Sequence, residues 1–375
     1  MVNPSKRFFA DGITEDIITA LSRYPSLFVI ARSSSFSFKG RAIDVKQVRR
    51  ELGVRYVIEG SVRKAGNHIR VTAQLDGRGD RNSYSLGDLV LHGEDVDEIP
   101  VVVLGPDVAT DLGFDGRYES QRGTSMCGPP ISAACGISSK LLATTTFSRG
   151  STFSTPFPNF AGVYRGLAMA CIQAVTDFRA QTPTEAHSAA ESSARWAIAL
   201  DPADAAAHST LAAATLYSRG DYESALAEAE RALALCPNLA SAHGILAQTL
   251  IFSGRPREGL VALERSIRLA PHNPMAHIRF NLAAMGSYFS RQYDAAAEVA
   301  KRAVRSYPEY PLPYRWLAAA LGQLGRTAEA REALDKAMAV SPALFDVYVR
   351  QRMPWQRPED YAHMLEGLRK AGWEG

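Results

Sequence analysis

The second half of the chain repeats one pattern of apolar, small and turn-forming residues. Prolines mark the period, which is roughly 34 residues, and stand at Pro202, Pro237, Pro271, Pro308 and Pro342. Apolar residues such as Leu211, Leu216, Leu226 and Leu233 lie between them. Because a unit of this size cannot bury its own apolar face, several units must stack. The pattern therefore predicts an array of paired helices.

Small residues hold three fixed positions within each unit, counted back from its proline. In one unit these are Ala213, Ala225 and Ala232. Two antiparallel helices approach closely only where side chains are small, so these positions indicate the helix contact. A glycine between the two helices, such as Gly220, is suited to end the first of them, but the third unit has Arg291 there. The proline stops the second helix.

This period and these positions resemble the tetratricopeptide repeat. Four units match across 206–342, and a partial fifth at 190–202 follows a helix near 161–180. The third unit is slightly longer than the others, and we place its extra residues in the loop around His272–Pro274. Within one unit the residues that match the family pattern are Gly220, Tyr222, Ala225, Ala232 and Pro237, and in a later unit they are Tyr293, Ala296, Ala303 and Pro308.

The resemblance implies a concave groove, lined by the first helix of each pair, that binds a peptide or a helix of a protein partner. The residues at the family's groove positions are Tyr217, Gln248, Phe252, Asn281, Met285, Tyr288 and Arg315. An alternative interpretation is that Phe252, Met285 and Tyr288 are ordinary packing between repeats. Since Arg315 is the one basic residue in this set, recognition of an acidic chain terminus, as in chaperone-binding relatives, is disfavoured.

Residues 1–75 predict a small α/β unit with the order α-β-α-β-β. Residues 11–22 show an apolar stripe typical of a helix, and residues 26–31 are an apolar run typical of a buried strand. Asp44 is a candidate cap for a second helix, which Gly53 ends. Alternating residues at 54–63 and 68–75, around Gly66-Asn67, predict a hairpin.

Three stretches of this unit share a family pattern: Phe9-Ala-Asp-Gly-Ile-Thr-Glu-Asp-Ile, Phe28-Val-Ile-Ala-Arg-Ser-Ser-Ser-Phe and Glu51-Leu-Gly-Val-Arg-Tyr-Val-Ile-Glu-Gly-Ser-Val-Arg-Lys. They resemble TolB-like modules. These modules precede tetratricopeptide repeats in bacterial signalling proteins, notably in the accessory half of class III adenylate cyclases. The tail at 357–373 is similar to the closing helix of those proteins. The family usually has a further strand before Phe8, so the resemblance implies a sheet with one strand fewer or a truncated start.

Residues 76–159 do not continue either pattern. Ser, Thr, Gly and Pro supply more than half of the stretch from Thr124 to Pro158. A segment without a burial pattern cannot offset its ordering entropy, so we expect low order, with at most a stray strand at Val101–Leu104. Two origins remain open: a flexible linker, or a peptide produced by a pair of compensating frame shifts in the gene.

Composition excludes several classes of protein. The chain has 375 residues and a net charge of +3, which does not favour a nucleic-acid partner. Four scattered cysteines indicate neither a disulfide framework nor a zinc site, and a reducing, cytoplasmic location is expected. No apolar run is long enough to span a membrane, and residues 1–9 lack a signal-peptide core. No phosphate-loop, dinucleotide, nucleophile-elbow or zinc-protease motif occurs, so we predict no cofactor, metal or catalytic residue.

The sequence thus predicts a multidomain protein, a small α/β N-terminal module followed by an all-α tetratricopeptide-repeat solenoid. We expect the module at 1–75, an irregular linker at 76–159, the solenoid at 160–345 and a helical tail at 346–375. The first functional hypothesis is a non-catalytic scaffold that binds a protein partner in a cyclase-type signalling system. The alternative is an adenylate or guanylate cyclase family member by kinship, with its catalytic domain outside this chain. The oligomeric state stays open.

Overall fold

Helices dominate the computed structural model of the chain. It describes residues 14–65 apart from 16, 26, 40, 42 and 43, and then residues 68–76, 84–92, 99–104, 160–176, 183–350 and 357–374.

Three helical segments open the described chain. Helix α1 covers residues 14–15 and 17–22, α2 is Arg32–Ser35 with a 3-10 turn at Phe36–Phe38, and α3 is Val45–Leu52. The Asp44 carboxylate accepts a hydrogen bond from the Lys46 amide, and Gly53 has a φ of 67°, so the predicted cap and stop of α3 are both confirmed.

A four-stranded antiparallel sheet follows, with the strand order β3-β2-β1-β4. The predicted hairpin is present, because β1 pairs with β2 from Val57 opposite Asp76 to Ala65 opposite His68. The predicted turn at 66–67 lies outside the described residues. The strands are β1 (Tyr56–Ala65), β2 (His68–Asp76), β3 (Tyr84–His92) and β4 (Ile99–Leu104).

Two sequence expectations need correction in this region. Residues 27–31 are buried in large part as expected, but they form only an isolated bridge at Val29, and the Ala31 amide donates to the Leu269 carbonyl at 2.7 Å. This backbone pairs with the solenoid, so it is not a sheet strand. The expectation of low order at 76–159 also needs correction at 84–92, where β3 forms, because a sheet partner supplies the hydrogen bonds that the local pattern does not reveal. The stray strand expected at Val101–Leu104 is present as part of β4. The rest of that segment lies outside the described residues.

The solenoid consists of helix pairs, as the repeat pattern predicts. Each pair forms a hairpin, and each first helix contacts the first helix of the next pair. The pairs are α4 (Ala161–Thr176) with α5 (Pro183–Leu200), α6 (Ala205–Arg219) with α7 (Tyr222–Leu235), α8 (Ala240–Phe252) with α9 (Pro256–Leu269), α10 (Ala276–Phe289) with α11 (Tyr293–Ser306), and α12 (Leu312–Gln323) with α13 (Thr327–Val340).

The small residues lie where the two helices of a pair touch. All of the predicted positions are buried, and a Cβ atom added to Gly259 of α9 would meet the Ala247 carbonyl of α8 at 2.7 Å. A larger side chain at either position would push the hairpin apart, because protein interiors leave no free volume. The small residues that recur in the sequence therefore mark the contacts between the two helices of each pair.

The turn between the two helices of a pair has the same left-handed backbone in every later unit. Gly220, Gly254 and Gly325 have φ values of 65°, 85° and 71°, and Arg291 has 61°. The third unit therefore keeps the turn without the residue that favours it. A left-handed backbone costs a residue with a side chain about 1–2 kcal/mol.

We predict that Arg291→Gly stabilises the protein. Relief of this cost outweighs the extra chain entropy of glycine, about 0.5–1 kcal/mol, so the net gain is about 0.5–1 kcal/mol. Urea unfolding should show a higher midpoint. Glu298→Gly, an exposed position in the middle of α11, is the control and should lower the midpoint because glycine weakens a helix interior. A lower midpoint for Arg291→Gly would contradict the strain argument.

The N-terminal residues dock on two successive loops of the solenoid. Asn238, in the loop between α7 and α8, is 2% exposed. Its Nδ2 atom donates to the carbonyl oxygens of Ser22 at 3.4 Å, Tyr24 at 3.2 Å and Leu27 at 2.5 Å. One amide side chain thus fixes the backbone that follows α1.

The second contact uses the loop between α9 and α10, which is the longer loop predicted around His272–Pro274. The His272 amide donates to Ser34 Oγ at 2.9 Å, and its Nδ1 lies 2.9 Å from Ser37 Oγ. The Phe38 ring lies 5.4 Å from the imidazole, centroid to centroid. The inserted residues therefore serve as a docking point for the turn that follows α2.

The chain closes with a short helix, a π-helical turn and a last helix. These are α14 (Pro342–Phe345), the turn at Asp346–Arg350, and α15 (Pro358–Lys370). We call residues 342–350 and 357–374 together the C-terminal segment. None of the helices in the described part of the chain has the length and hydropathy needed to cross a membrane.

Candidate partner groove

All seven predicted groove residues lie on the first helices of the pairs, which stack on one another. Tyr217 is on α6, Gln248 and Phe252 are on α8, and Arg315 is on α12. The remaining three, all on α10, are Asn281, Met285 and Tyr288. Their contact with a partner stays a prediction, but their surroundings within the chain are defined.

At the amino-terminal end of this face, two polar side chains are half-buried and bonded to each other. The Gln248 amide donates to the Tyr217 hydroxyl. Burial, and then the neighbouring Tyr348, raises the pKa of Tyr217, while the hydrogen bond from Gln248 acts in the opposite direction. This end presents amide and hydroxyl groups rather than charges.

The three apolar and aromatic residues in the middle are buried. Phe252 and Met285 belong to the main core cluster, and Tyr288 has no exposed surface. Burial raises the pKa of the Tyr288 hydroxyl. These positions fit the packing interpretation of the sequence, and a partner can reach them only after the surrounding structure opens.

Asn281 and Arg315 differ in how well their polar atoms are satisfied. Asn281 accepts a hydrogen bond from Trp316 Nε1 at 3.1 Å. Arg315 is 5% exposed, and its Nε and Nη1 atoms have no hydrogen-bond partner among the described residues. Burial lowers the pKa of the Arg315 guanidinium to about 10, and the hydroxyls of Tyr348 and Tyr310 act in the opposite direction.

The C-terminal segment lies against the same helix faces. Helix α15 packs on α12, and the approach is close because two glycines face each other. A Cβ atom on Gly322 would meet the Gly367 backbone, and one on Gly367 would meet the Ala319 carbonyl at 2.8 Å. Ala319 and Gly322 stand one repeat after Met285 and Tyr288, so they hold the corresponding groove positions of the last pair.

Polar contacts fix α15 along this face. The Tyr288 hydroxyl donates to the His363 carbonyl at 2.8 Å, and the Tyr293 hydroxyl lies 3.1 Å from His363 Nε2. Near the end of α15, Lys370 Nζ donates to Gln323 Oε1 at 2.7 Å. The last helix of the chain therefore occupies the part of the projected groove that α10 and α12 form.

Sequence reasoning does not identify the residues that fill the groove. It assigns His363, Gly367 and Tyr348 only to a helical tail. The signal that is present is a pair of glycines inside two helices, Gly322 and Gly367, where glycine weakens the helix and requires a packing reason. Tyr348 carries no such signal, because its contacts depend on a turn that no local pattern predicts.

Two histidines at equivalent positions of successive repeats belong to the seam between those repeats. His208 Nε2 lies 3.2 Å from the Pro202 carbonyl, and His243 Nε2 lies 2.9 Å from the Pro237 carbonyl. Each contact thus joins the start of a pair to the proline that precedes it. In the described part of the chain, no group of three or more His, Cys, Asp or Glu side chains is arranged to hold a metal ion.

The cysteines within the described residues are buried thiols. Cys171 and Cys236 are both in the interior, and burial raises the pKa of Cys171 to about 11. A thiol with a raised pKa is a poor nucleophile, so these residues act as small apolar side chains. Cys127 and Cys135 lie outside the described residues.

Comparison with known proteins gives one family match and one curated relative. Residues 281–343 match the tetratricopeptide repeat family. A stretch of 73 residues, 20% of this chain, is 63% identical to part of a Rhizobium meliloti (strain 1021) protein. That protein carries the provisional name adenylate cyclase 3. That stretch is 12% of the relative, so the chain spans only a small part of that protein's length.

Several solved structures are similar to this chain at low sequence identity and with TM-scores below 0.5. PilW, a type IV pilus biogenesis factor, has a TM-score of 0.42 and 18% identity over 58% of this chain and 90% of its own. TTC0263 of Thermus thermophilus has 0.40 and 20% over 54% and 98%. YrrB, described as having an unusual peptide-binding site, has 0.35 and 17% over 48% and 86%. The family match, together with the helix pairs, identifies residues 281–343 as tetratricopeptide repeats.

Proposed function

We propose that the chain is a non-catalytic scaffold that binds a polypeptide partner along the first helices of its repeats. The observation that carries this proposal is the continuous face that α4, α6, α8, α10 and α12 form by contacting one another in sequence. Such a face presents a long surface to an extended ligand, which is the use that stacked repeats commonly serve. The partner is a peptide or helix, and no cofactor is required.

The amino-terminal end of the face is the part most open to a partner. Tyr217 and Gln248 retain exposed surface, whereas Tyr288 and α12 are covered by α15. A polypeptide backbone offers N–H and C=O groups that a glutamine amide and a tyrosine hydroxyl can bind. We therefore assign first contact with the partner to these two residues.

The test of this assignment is Gln248→Ala in the full chain. Polypeptides captured by the wild-type protein are identified, and the dissociation constant of each is then measured for the variant. Loss of one interface hydrogen bond should weaken binding by about 1 kcal/mol, or about five-fold.

Gln292→Ala is the matched control, because Gln292 is exposed and lies in the turn between α10 and α11. It should leave the dissociation constant unchanged. Equal affinities for Gln248→Ala and the wild type, or equal losses for both variants, would contradict the assignment of the groove.

We further propose that the chain belongs with a cyclase-type bacterial signalling system, as an accessory part. The similarity to the Rhizobium meliloti relative and the TolB-like stretches within residues 1–75 support this link. The second candidate, cyclic nucleotide synthesis, rests on the same relative. The purified chain incubated with ATP and a divalent metal should form no cyclic AMP, and formation of cyclic AMP at a rate above a heat-inactivated sample would favour the enzyme.

A further inference from the structure

We infer that Arg315 is the point at which the groove binds a side-chain carboxylate of its partner, and that Tyr348 covers this point in the isolated chain. The inference rests on the proposed function, because it names the chemistry of the partner at that same groove. It begins from a buried cation that the fold leaves incompletely satisfied.

Arg315 is buried, and no described residue supplies a counter-charge to it. Neither an ion pair nor a hydrogen bond joins it to any described residue, and two of its three nitrogen atoms are inaccessible and without a partner. Burial of an unpaired charge is costly, and buried polar groups are nearly always satisfied. An apolar residue would serve packing better at this position, so the guanidinium requires a reason other than stability.

The rings of Trp316 and Tyr348 lie over the guanidinium of Arg315, but they leave its Nε and Nη1 donors without a hydrogen-bond partner among the described residues. Its central carbon lies 4.7 Å from the Trp316 ring centroid and 4.4 Å from that of Tyr348. Such contacts stabilise the charge through the ring faces. The N–H donors lie in the plane of the guanidinium, so rings stacked on its faces cannot accept their hydrogen bonds. The edge of a guanidinium has the geometry to bind a carboxylate.

Tyr348 belongs to the C-terminal segment, in which the turn at Asp346–Arg350 is bonded to α15. The Tyr361 hydroxyl of α15 donates to the Val349 carbonyl at 2.7 Å, so the turn that carries Tyr348 is tied to α15. Tyr348 also lies close enough to Tyr217 to raise its pKa. The same turn therefore covers Arg315 and reaches the residue that we assign to first contact, so a partner entering at Tyr217 meets this turn next.

The test measures the binding of three N-acetylated hexapeptides to the full chain by calorimetry. The first is acetyl-hexaglutamate amide, the second is acetyl-hexaglutamine amide, and the third is acetyl-hexaglutamine with a free carboxyl terminus. Tyr348→Ala should bind the glutamate peptide at least about ten-fold more tightly than the wild type, because one charge-assisted contact becomes accessible. Neither glutamine peptide should gain affinity, and a gain confined to the free-terminus peptide would overturn the assignment to a side-chain carboxylate.

Two further variants tie the effect to Arg315. Arg315→Met combined with Tyr348→Ala should lose the whole gain, while Arg302→Met combined with Tyr348→Ala should keep it. Arg302 is a suitable control because its guanidinium also stacks on a ring, that of Phe280 at 5.3 Å, but is exposed. A gain that persists without Arg315, or no gain in Tyr348→Ala, would overturn the inference.

A melting experiment without peptide separates recognition from structure. Arg315→Met should raise the melting temperature by several degrees, because an apolar side chain of similar size replaces a buried unpaired charge. A lower melting temperature would show that the guanidinium supports the fold and would contradict the inference. These experiments need no natural partner, so their failure is distinguishable from failure of the capture experiment with Gln248→Ala.

Discussion

Leucine at Gly367 should release α15 from the repeats. The backbone of α15 meets that of α12 at this position, and a Cβ atom would lie 2.8 Å from the Ala319 carbonyl and against the Tyr288 hydroxyl. No rotamer of leucine avoids a clash with backbone atoms, which cannot yield as a flexible side chain can. Release exposes Met364 and Leu368, both fully buried. Their burial stabilises the docked helix by about 3–6 kcal/mol.

Hydrogen exchange of the α15 amides is the measurement for Gly367→Leu. Protection of these amides should fall to the level of a free helix, while that of α6 to α13 stays largely unchanged, since each repeat contacts mainly its neighbours. Ala362→Leu is the control, because Ala362 is an exposed small residue on the same helix. Unchanged protection in Gly367→Leu would show that the two helices are not in close contact.

Alanine at Asn238 should separate the N-terminal residues from the solenoid. The side chain holds three carbonyl groups, and its own amide donates to the Ser22 carbonyl at 3.3 Å. Removing the side-chain donor leaves the buried Leu27 carbonyl unpaired, at a cost of about 1–3 kcal/mol. This is a large share of the stability of a contact between two units.

Limited proteolysis should detect this separation. Cleavage between the N-terminal helices and the solenoid should become faster in Asn238→Ala, and the melting of the solenoid should change less than the rate of cleavage. Asn273→Ala is the matched control, because Asn273 is half-buried in the neighbouring loop and its side chain bonds within that loop, to the Met275 amide. Equal cleavage rates for wild type and Asn238→Ala would contradict the docking role of this side chain.

The repeats were predictable because their determinants are local and recur. Alanine and glycine at the helix contacts, and proline at the end of each unit, indicate how the two helices of one hairpin pack against each other. The left-handed turn at Arg291 was less predictable, because arginine does not favour that backbone conformation. Strand β3 was missed, and β4 was expected only as a stray strand at Val101–Leu104, since their hydrogen-bond partners lie elsewhere in the sheet.

The candidate groove shows where sequence patterns stop being informative. The family register placed Arg315 on the correct helix, but nothing in the spacing indicates that this cation is buried and unpaired. The Tyr348 ring lies over this cation, the turn that carries Tyr348 is bonded to α15, and α15 docks at Gly367. Each contact joins distant parts of the chain, so the state of the groove follows from tertiary structure alone.

The docking of the N-terminal residues has a mechanical consequence for the array. Asn238 and His272 lie in the loops before α8 and after α9. The N-terminal residues bind both loops, so they span this helix pair. A stack of repeats otherwise bends and unwinds one junction at a time, because each repeat contacts only its neighbours. Here the second and third junctions are braced from outside. Tension on the chain should therefore be absorbed at the ends of the coil, and its middle should keep a constant pitch.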